Sequence, residues 1–164
     1  MAAKEQAETL GLHAEIISSD LSGEAREVGR WLARKAIELK SSRVQACKKP
    51  ICLISGGETT VTVKGSGLGG RNMELALSFA LAIRDIPGIT LLSAGTDGTD
   101  GPTDAAGAIV DGETVTKAEA KGLNPEEYLT TNDSYNFFKN LGELFITGPT
   151  GTNVMDVQII IVAP

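Results

Sequence analysis

The sequence is poor in aromatic residues and in the side chains most often used for metal binding. Aromatic residues make up 4% of the 164 positions, and His13 is the one histidine. A single histidine excludes a histidine-rich metal site and disfavours catalysis by an imidazole base. The two cysteines, Cys47 and Cys52, fit no metal-ligand spacing, so we interpret them as reduced structural thiols of a cytosolic protein.

Excess positive charge and long apolar runs are also missing. Lys and Arg number 15 against 21 Asp and Glu, which gives a net charge of −6. Proteins that bind nucleic acid normally carry the opposite charge, so this class is set aside. No apolar run approaches the roughly 20 residues of a membrane helix, and residues 1–6 lack the apolar core of a signal peptide. We expect a cytoplasmic protein without nucleic-acid or membrane partners.

Segments typical of helices and strands alternate along the chain. Apolar residues at helical spacing, including Val28, Trp31 and Leu32, predict a long amphipathic helix in the first third. Residues 72–84 are apolar on nearly all sides, which predicts a buried helix. A further helix at 2–9 and two or three short ones within 113–141 are expected. The remaining segments predict strands at 12–17, 51–55, 60–64, 89–94, 105–110, 144–147 and 157–162.

This order predicts an α/β fold with a mixed, mostly parallel sheet and helices on both faces. The alternation of Thr and Val over 60–64 predicts one strand of a β-hairpin within that sheet. Ligands of such folds bind at the carboxyl ends of the strands, where most of the polar loops of this sequence are expected.

A glycine-rich loop precedes the buried helix. Residues 65–72 read Gly-Ser-Gly-Leu-Gly-Gly-Arg-Asn. Glycines let backbone amides approach an anion, a helix N-terminus adds unpaired N–H groups, and Arg71 offers a planar set of donors. The alternative is a flexible turn with a surface arginine. The match to G-x-G-x-x-G is weak evidence for a dinucleotide site, because the preceding segment does not resemble a buried parallel strand.

Three other loops carry polar side chains in clusters. Asp97, Asp100 and Asp104, spaced by glycine and threonine, either hold Mg²⁺ or form a series of Asx turns. Residues 147–156 contain hydroxyls, an amide and an acid that line a polar pocket or simply connect two strands. Glu58 either binds a hydroxyl or a metal-bound water, or is an exposed acid in a tight turn.

Five motifs, in this order, resemble the MOFRL family. They read Ile-Ser-Gly-Gly-Glu at 54–58, Gly-Gly-Arg-Asn at 69–72 together with Glu74, Ala-Gly-Thr-Asp-Gly-Thr-Asp-Gly-Pro-Thr at 94–103, Asn-Asp-Ser at 132–134 and Thr-Gly-Thr-Asn-Val-Met-Asp at 150–156. The resemblance runs from about residue 50 to the end and is less distinctive before residue 45.

The resemblance implies the C-terminal domain of a glycerate 2-kinase, in which ATP phosphorylates the 2-hydroxyl of D-glycerate. It implies a MOFRL-like domain at 50–164, a connecting helix–strand–helix segment at 1–45, and an active site shared with a larger N-terminal domain. Because that domain and its catalytic lysine are expected to be absent from this chain, we expect the isolated chain to be inactive.

Two alternatives stay open. Some family members are called hydroxypyruvate reductase, which keeps an NAD(P)H-dependent reductase under consideration. The other alternative is a non-catalytic docking module, with an exposed apolar face along the helix that carries Trp31.

The predicted site follows from the resemblance and the loops together. Arg71 and Asp97 are the predicted catalytic residues, and Asp97 and Asp100 are the predicted ligands of Mg²⁺. Further side chains and amides are predicted to bind substrate or nucleotide: Gly57, Glu58, Gly67, Gly69, Gly70, Asn72, Thr150, Asn153 and Asp156.

Overall fold

The computed structural model of the protein describes residues 2–44 and 49–164. The helices are α1 (Ala2–Thr9), α2 (Ala25–Leu39, continued by a π-helical turn at Lys40–Val44), α3 (Arg71–Ala82), α4 (Thr114–Ala120), α5 (Pro125–Thr130) and α6 (Ser134–Leu141). The strands are β1 (His13–Leu21), β2 (Ile51–Gly57), β3 (Ile89–Gly95), β4 (Gly107–Asp111), β5 (Leu144–Phe145) and β6 (Asp156–Val162). No helix in these two ranges is long and apolar enough to span a membrane.

The six strands form one mixed sheet in the order β1-β2-β6-β3-β4-β5. This confirms the predicted α/β class, but the expectation that most strand pairs are parallel is wrong. Only β1 and β2 pair in parallel, and the other four pairings are antiparallel. Two of these pairings arise because β6 lies between β2 and β3 and runs against both, and the other two because β4 runs against β3 and β5. The strands β1, β2 and β3 therefore share a direction, although β2 and β3 are not neighbours.

The strand predicted at 60–64 does not form. Thr60 makes a single bridge with Glu24, and residues 61–64 have no regular structure. Both edges of β2 are already paired, with β1 and with β6, so the segment has no edge on which to build a hairpin. The side chain of Glu24 holds it instead, because its two oxygens accept hydrogen bonds from the amide and hydroxyl of Thr62 at 3.0 Å.

Helices lie on both faces of the sheet, as predicted, but unevenly. The long helices α2 and α3 pack against each other on one face, and α3 is buried along nearly its whole length. On the other face α1 packs mainly against β1 and β2, through a small cluster around Ala7 and Cys52 that also includes Ile159 and Ile161 of β6. Cys52 is a free thiol whose pKa is raised by burial, as expected of a structural cysteine. Cys47 lies outside the described residues.

The helix carrying Trp31 does not expose an apolar face. Trp31 is half-buried and packs against the core, while the outward face of α2 carries ion-paired side chains such as Arg30 and Lys35. The predicted location of a docking surface on this helix is therefore wrong.

Candidate active site

A polar cleft of about 540 Å³ opens beyond the carboxyl ends of β2 and β3. The amino end of β6 lies between these strand ends because β6 runs in the opposite direction. Seven of the residues predicted from sequence to act in the site line this cleft: Glu58, Gly67, Gly69, Gly70, Arg71, Asp97 and Asp100. Its wall also contains residues that were not predicted: Val61, Val63, Glu74 and Asn132.

Arg71 stands at the first position of α3 and is held by two carboxylates. Its Nε donates to Asp156 Oδ2 at 2.6 Å and its Nη2 to Asp156 Oδ1 at 3.0 Å. Its Nη1 lies 2.8 Å from Glu58 Oε1. The side chain of Asp156 is 1% exposed and that of Glu58 is 55% exposed. Asp156 is thus a fixed partner, whereas Glu58 is a solvated one that a ligand can replace at little cost.

The hydrogen bonds with Asp156 also set the charge state of this arginine. They are the main cause that raises the pKa of Arg71, with smaller contributions from the negative charges of Asp156, Glu58 and Asp100. The cleft therefore presents a guanidinium that is permanently charged and held in one orientation by a buried fork-to-fork contact.

Asp100 caps helix α3 from a loop 28 residues away in sequence. Its Oδ1 accepts from the amide of Asn72 at 3.1 Å, and its Oδ2 accepts from the amide of Met73 at 2.8 Å. Two of the amides left free at a helix N-terminus are satisfied in this way. Burial raises the pKa of Asp100 to about 6, and the hydrogen bonds from Met73 and Asn72 oppose that rise. Both oxygens are occupied, which disfavours Asp100 as a metal ligand.

Asp100 should make stability depend on pH. Because its pKa is raised from 3.8 to about 6 on folding, its stabilising contribution is complete below pH 3.8 and is lost as pH rises through 6. Asp100→Asn cannot titrate there. The free energy of unfolding of the unchanged protein, relative to the variant, should fall by about 2 kcal/mol from pH ~4 to pH ~7. Urea denaturation across this range measures the difference, and a constant difference would contradict the assignment.

The glycine-rich loop packs its backbone tightly against the segment before α6. The amide of Gly67 donates to the carbonyl of Thr131 at 3.0 Å, and the amide of Leu68 donates to Asp133 Oδ1 at 2.8 Å. A methyl group on Gly67 would lie 2.6 Å from both Cα and N of Asp133. This glycine is therefore required by close packing, and its amide is not free for an anion. Within the described residues the amides of Gly69 and Gly70 have no such partner.

Gly67→Ala should destabilise the fold, because the added methyl overlaps backbone that cannot move without disturbing α6. We expect the free energy of unfolding to fall by about 1–3 kcal/mol, as for an overpacked site. The matched control is Gly56→Ala, where the new methyl would lie 3.4 Å from the carbonyl oxygen of Asp156, an ordinary contact. Equal stability of the two variants in urea would show that close packing is not what requires glycine at position 67.

The other predicted residues surround the cleft without lining it. Asn72 is buried and accepts a hydrogen bond from the hydroxyl of Ser93 at 2.8 Å. The Thr150 hydroxyl donates to the carbonyl of Thr96 at 2.6 Å, and Asn153 Nδ2 lies 3.5 Å from Asp97 Oδ2. Gly57 pairs with Asp156 at the end of β2. These four residues contact the strands and loops that carry the cleft residues, and they do not line the cleft themselves.

Asp97 is the more exposed of the two predicted metal ligands. It is half-buried and lines the cleft, and its Oδ1 accepts a hydrogen bond from the amide of Thr99 at 3.0 Å. No group of three or more potential metal-binding side chains occurs among the described residues. Mg²⁺ at nucleotide sites commonly takes one or two carboxylates and fills its other positions with water and phosphate oxygens. Asp97 fits that demand, and the assignment of both Asp97 and Asp100 as metal ligands stays a prediction.

A buried network that was not predicted forms the far wall of the cleft. Glu74 is 2% exposed, and its Oε1 accepts from Arg26 Nε at 2.9 Å and Nη2 at 2.6 Å. Its Oε2 accepts from Asn132 Nδ2 at 2.8 Å. Asn132 Oδ1 accepts from the amides of Lys64 and Gly65 at 2.7 and 3.0 Å. The network thus connects α2, α3 and the loop before α6 to the segment that carries Val61 and Val63.

One local signal for Asn132 exists in the sequence. Asn132 has φ +57°, and asparagine is the commonest residue other than glycine in that left-handed region. An Asn-Asp-Ser motif before a helix indicates such a turn, but not that Glu74, 58 residues earlier, receives its amide.

The fold and the cleft together define an α/β domain that presents a fixed arginine and free backbone amides beyond its strand ends. The chain belongs to the MOFRL family, whose family model matches residues 51–156.

Relatives with assigned names are much longer than this chain. It is 57% identical over 157 residues to D-glycerate 2-kinase of Thermotoga maritima, a match that covers 96% of this chain and 37% of that protein. The crystal structure of glycerate kinase from Thermotoga maritima aligns with a TM-score of 0.93 at 56% identity, over 98% of this chain and 38% of that one. A protein of Agrobacterium vitis named putative hydroxypyruvate reductase is 40% identical over 154 residues, a match that covers 93% of this chain and 35% of that protein. The chain therefore spans just over a third of these relatives.

Proposed function

We propose that this chain is the C-terminal part of a cytoplasmic, ATP-dependent glycerate 2-kinase and supplies one wall of its active site. The substrates are ATP and D-glycerate, and a larger N-terminal domain supplies the other wall. The observation that carries the proposal is the orientation of Arg71 by buried Asp156. It occurs in a chain that is 57% identical to the corresponding part of a D-glycerate 2-kinase.

The chemistry needs positive charge that is already in position. The 2-hydroxyl oxygen of glycerate bonds to the γ-phosphorus while the bond from that phosphorus to the β–γ bridging oxygen breaks, and the hydroxyl proton is released. Charge on the transferring group is spread over its equatorial oxygens. Arg71 stabilises that charge through Nη1 once the solvated Glu58 carboxylate gives way, and the free amides of Gly69 and Gly70 stabilise it from the loop.

Mg²⁺ neutralises phosphate charge when it is bound, and Asp97 is the side chain of this chain that would contact it. Thr150 and Asn153 act indirectly, because their hydrogen bonds hold the loop that carries Asp97. The buried caps, Asp100 and Asn72, fix the start of α3 and with it the position of Arg71.

The proposal is tested by supplying ATP, Mg²⁺ and D-glycerate to this chain and to the longer polypeptide with its N-terminal domain. ADP and 2-phosphoglycerate are measured in both. Product from the longer polypeptide alone is the expected result. If the isolated chain also makes product, the two-domain site is contradicted. If neither protein makes product, the kinase assignment is overturned.

A reductase is the second candidate, because the Agrobacterium vitis relative is named a putative hydroxypyruvate reductase. The geometry gives it less support. The segment before the glycine-rich loop is not a strand, and the Gly67 amide is used within the protein. A dinucleotide loop requires a parallel strand in front of it and amides that face the pyrophosphate. Oxidation of NADH that depends on hydroxypyruvate would favour the reductase over the kinase.

A further inference from the structure

An apolar row crosses the sheet on the face that carries α1. Ile16, Ile54, Ile159, Leu92 and Ile109 are direct cross-strand partners on β1, β2, β6, β3 and β4. We call these five residues, four isoleucines and Leu92, the isoleucine row. Helix α1 packs on the β1–β2 side of the row, through contacts of Ala7 with the cluster around Ile54 and Ile159. Ile16 and Ile109, at the two ends, are each 42% exposed, and Leu92 is half-buried.

The sequence of β6 indicates that the sheet face carrying α1 is buried against another part of the protein. An antiparallel sheet with one face in water alternates apolar and polar residues along each strand. In β6 the inward residues are Asp156, Gln158, Ile160 and Val162, which are all at most 3% exposed. The opposite face carries Val157, Ile159 and Ile161, all half-buried, and no described part of the chain covers them completely. An outward face that is wholly apolar is typical of a sheet buried on both sides rather than of one with a face in water.

A groove extends the row toward the strand ends. It has a volume of about 440 Å³ and runs beside the start of α1, past Ala3, Lys4, Ile16 and Val157. Val154 and Met155, which are 67% and 46% exposed, also line it. Large exposed hydrophobic side chains thus gather along one surface, which is the mark of an interaction site.

We propose that this face, the isoleucine row and its groove, is the docking surface of the N-terminal part of the parent polypeptide. The inference rests on the part of the proposed function that makes this chain one portion of a longer polypeptide. Its match covers 37% of the Thermotoga maritima relative, so more than half of that protein lies outside it and must pack somewhere. A covalently connected partner gains a high effective concentration at such a surface.

The position of the groove explains how docking completes the cleft. Gly57 and Asp156 line the groove, and Asp156 also binds Arg71 on the cleft side. A single buried carboxylate therefore separates the docking surface from the cleft. A body seated in the groove would pack next to the strand ends that carry Gly57 and Asp156, directly behind the contact that orients Arg71.

Thiol labelling tests the docking surface without any enzymatic assay. Ile16→Cys and Ile109→Cys are each made in this chain and in the longer polypeptide, and the labelling of Cys47 and Cys52 in the unsubstituted proteins is subtracted. The matched control is Lys35→Cys on the outward face of α2, where the side chain is 47% exposed. Circular dichroism checks that each variant is folded.

We expect both test positions to react at least about tenfold more slowly in the longer polypeptide, because a docked thiol reacts only from a minor open state. The control rate should be nearly unchanged. Equal rates at positions 16 and 109 in the two proteins would overturn the proposal. Rates that fall with rising concentration of this chain alone would assign the face to a second copy and also overturn it. Protection in a polypeptide without kinase activity would sink the proposed function but keep the docking surface.

Discussion

Arg71→Ala in the full-length protein should lower kcat for D-glycerate phosphorylation by about a thousandfold, the loss typical of one preorganised charge at a phosphoryl-transfer site. The expected size follows from geometry. Arg71 is fixed through Nε and Nη2 by Asp156 and needs no reorganisation as charge develops. Steady-state kinetics with saturating ATP measures the change. A rise in KM with kcat unchanged would mean that Arg71 binds the ground state and the transition state equally.

Two companion variants separate charge from geometry and from fold. Arg71→Lys keeps the charge but cannot span both oxygens of Asp156, so it should recover only part of the rate. Arg84→Ala removes an exposed arginine that also binds a carboxylate through two nitrogens, Glu119 at 2.8 and 2.6 Å, and should leave kcat unchanged. Because Arg71→Ala leaves Asp156 buried and unpaired, unfolding is measured in parallel. Wild-type turnover in a folded Arg71→Ala protein would remove the proposed role.

The sequence predicted helices well because their signals are local. The apolar spacing around Val28 and Leu32 and the nearly continuous apolar character of residues 72–84 correspond to α2 and α3, the two helices of the main core. Each segment chooses its conformation from neighbours three and four positions away, and packing then uses the face so formed. The N-cap residue of α2 is Glu24, and the buried helix predicted at 72–84 is observed at Arg71–Ala82.

The pairing of the strands could not be read in the same way. Alternating strands and helices correctly indicate that β1, β2 and β3 share a direction, but not that β6, the last strand, lies between β2 and β3. That placement depends on contacts about a hundred residues apart, such as Ser55 with Gln158 at 2.9 Å. The strand expected at 60–64 failed to form for the same reason, because β6 takes the edge of β2 it would have used. The sheet has an antiparallel pair of consecutive strands elsewhere, in β3 and β4.

In the candidate site, residue types were more predictable than their partners. The motifs indicated which loops meet, and Arg71, Glu58 and Asp97 do line one cleft. An aspartate in a Gly-Thr-Asp-Gly loop looks the same in sequence whether it faces a cation or caps a helix. Asp100 caps one because α3 begins beside it, and Gly67 is a glycine because the backbone of Asp133 lies against it.

Glu74→Ala should cost about 3–5 kcal/mol of folding stability, the largest loss expected from one side chain here, because it leaves a charged partner without compensation. Arg26, whose side chain is 18% exposed, would lose both hydrogen bonds to Glu74 Oε1. Asn132 Nδ2 would lose its 2.8 Å bond to Oε2. Urea denaturation of this chain measures the effect directly.

The matched control for Glu74→Ala is Glu119→Ala, which breaks an arginine–glutamate pair of similar distances at the surface. Arg84 and Glu119 are 47% and 43% exposed, so water replaces the lost partner and the cost should stay below about 1 kcal/mol. If both variants cost the same, burial does not decide the strength of the Glu74 contact. Replacing Arg26 and Glu74 together by leucine should restore part of the loss, since no buried charge then remains unpaired. Such recovery would show that the unpaired charge of Arg26 is a main source of the stability lost in Glu74→Ala.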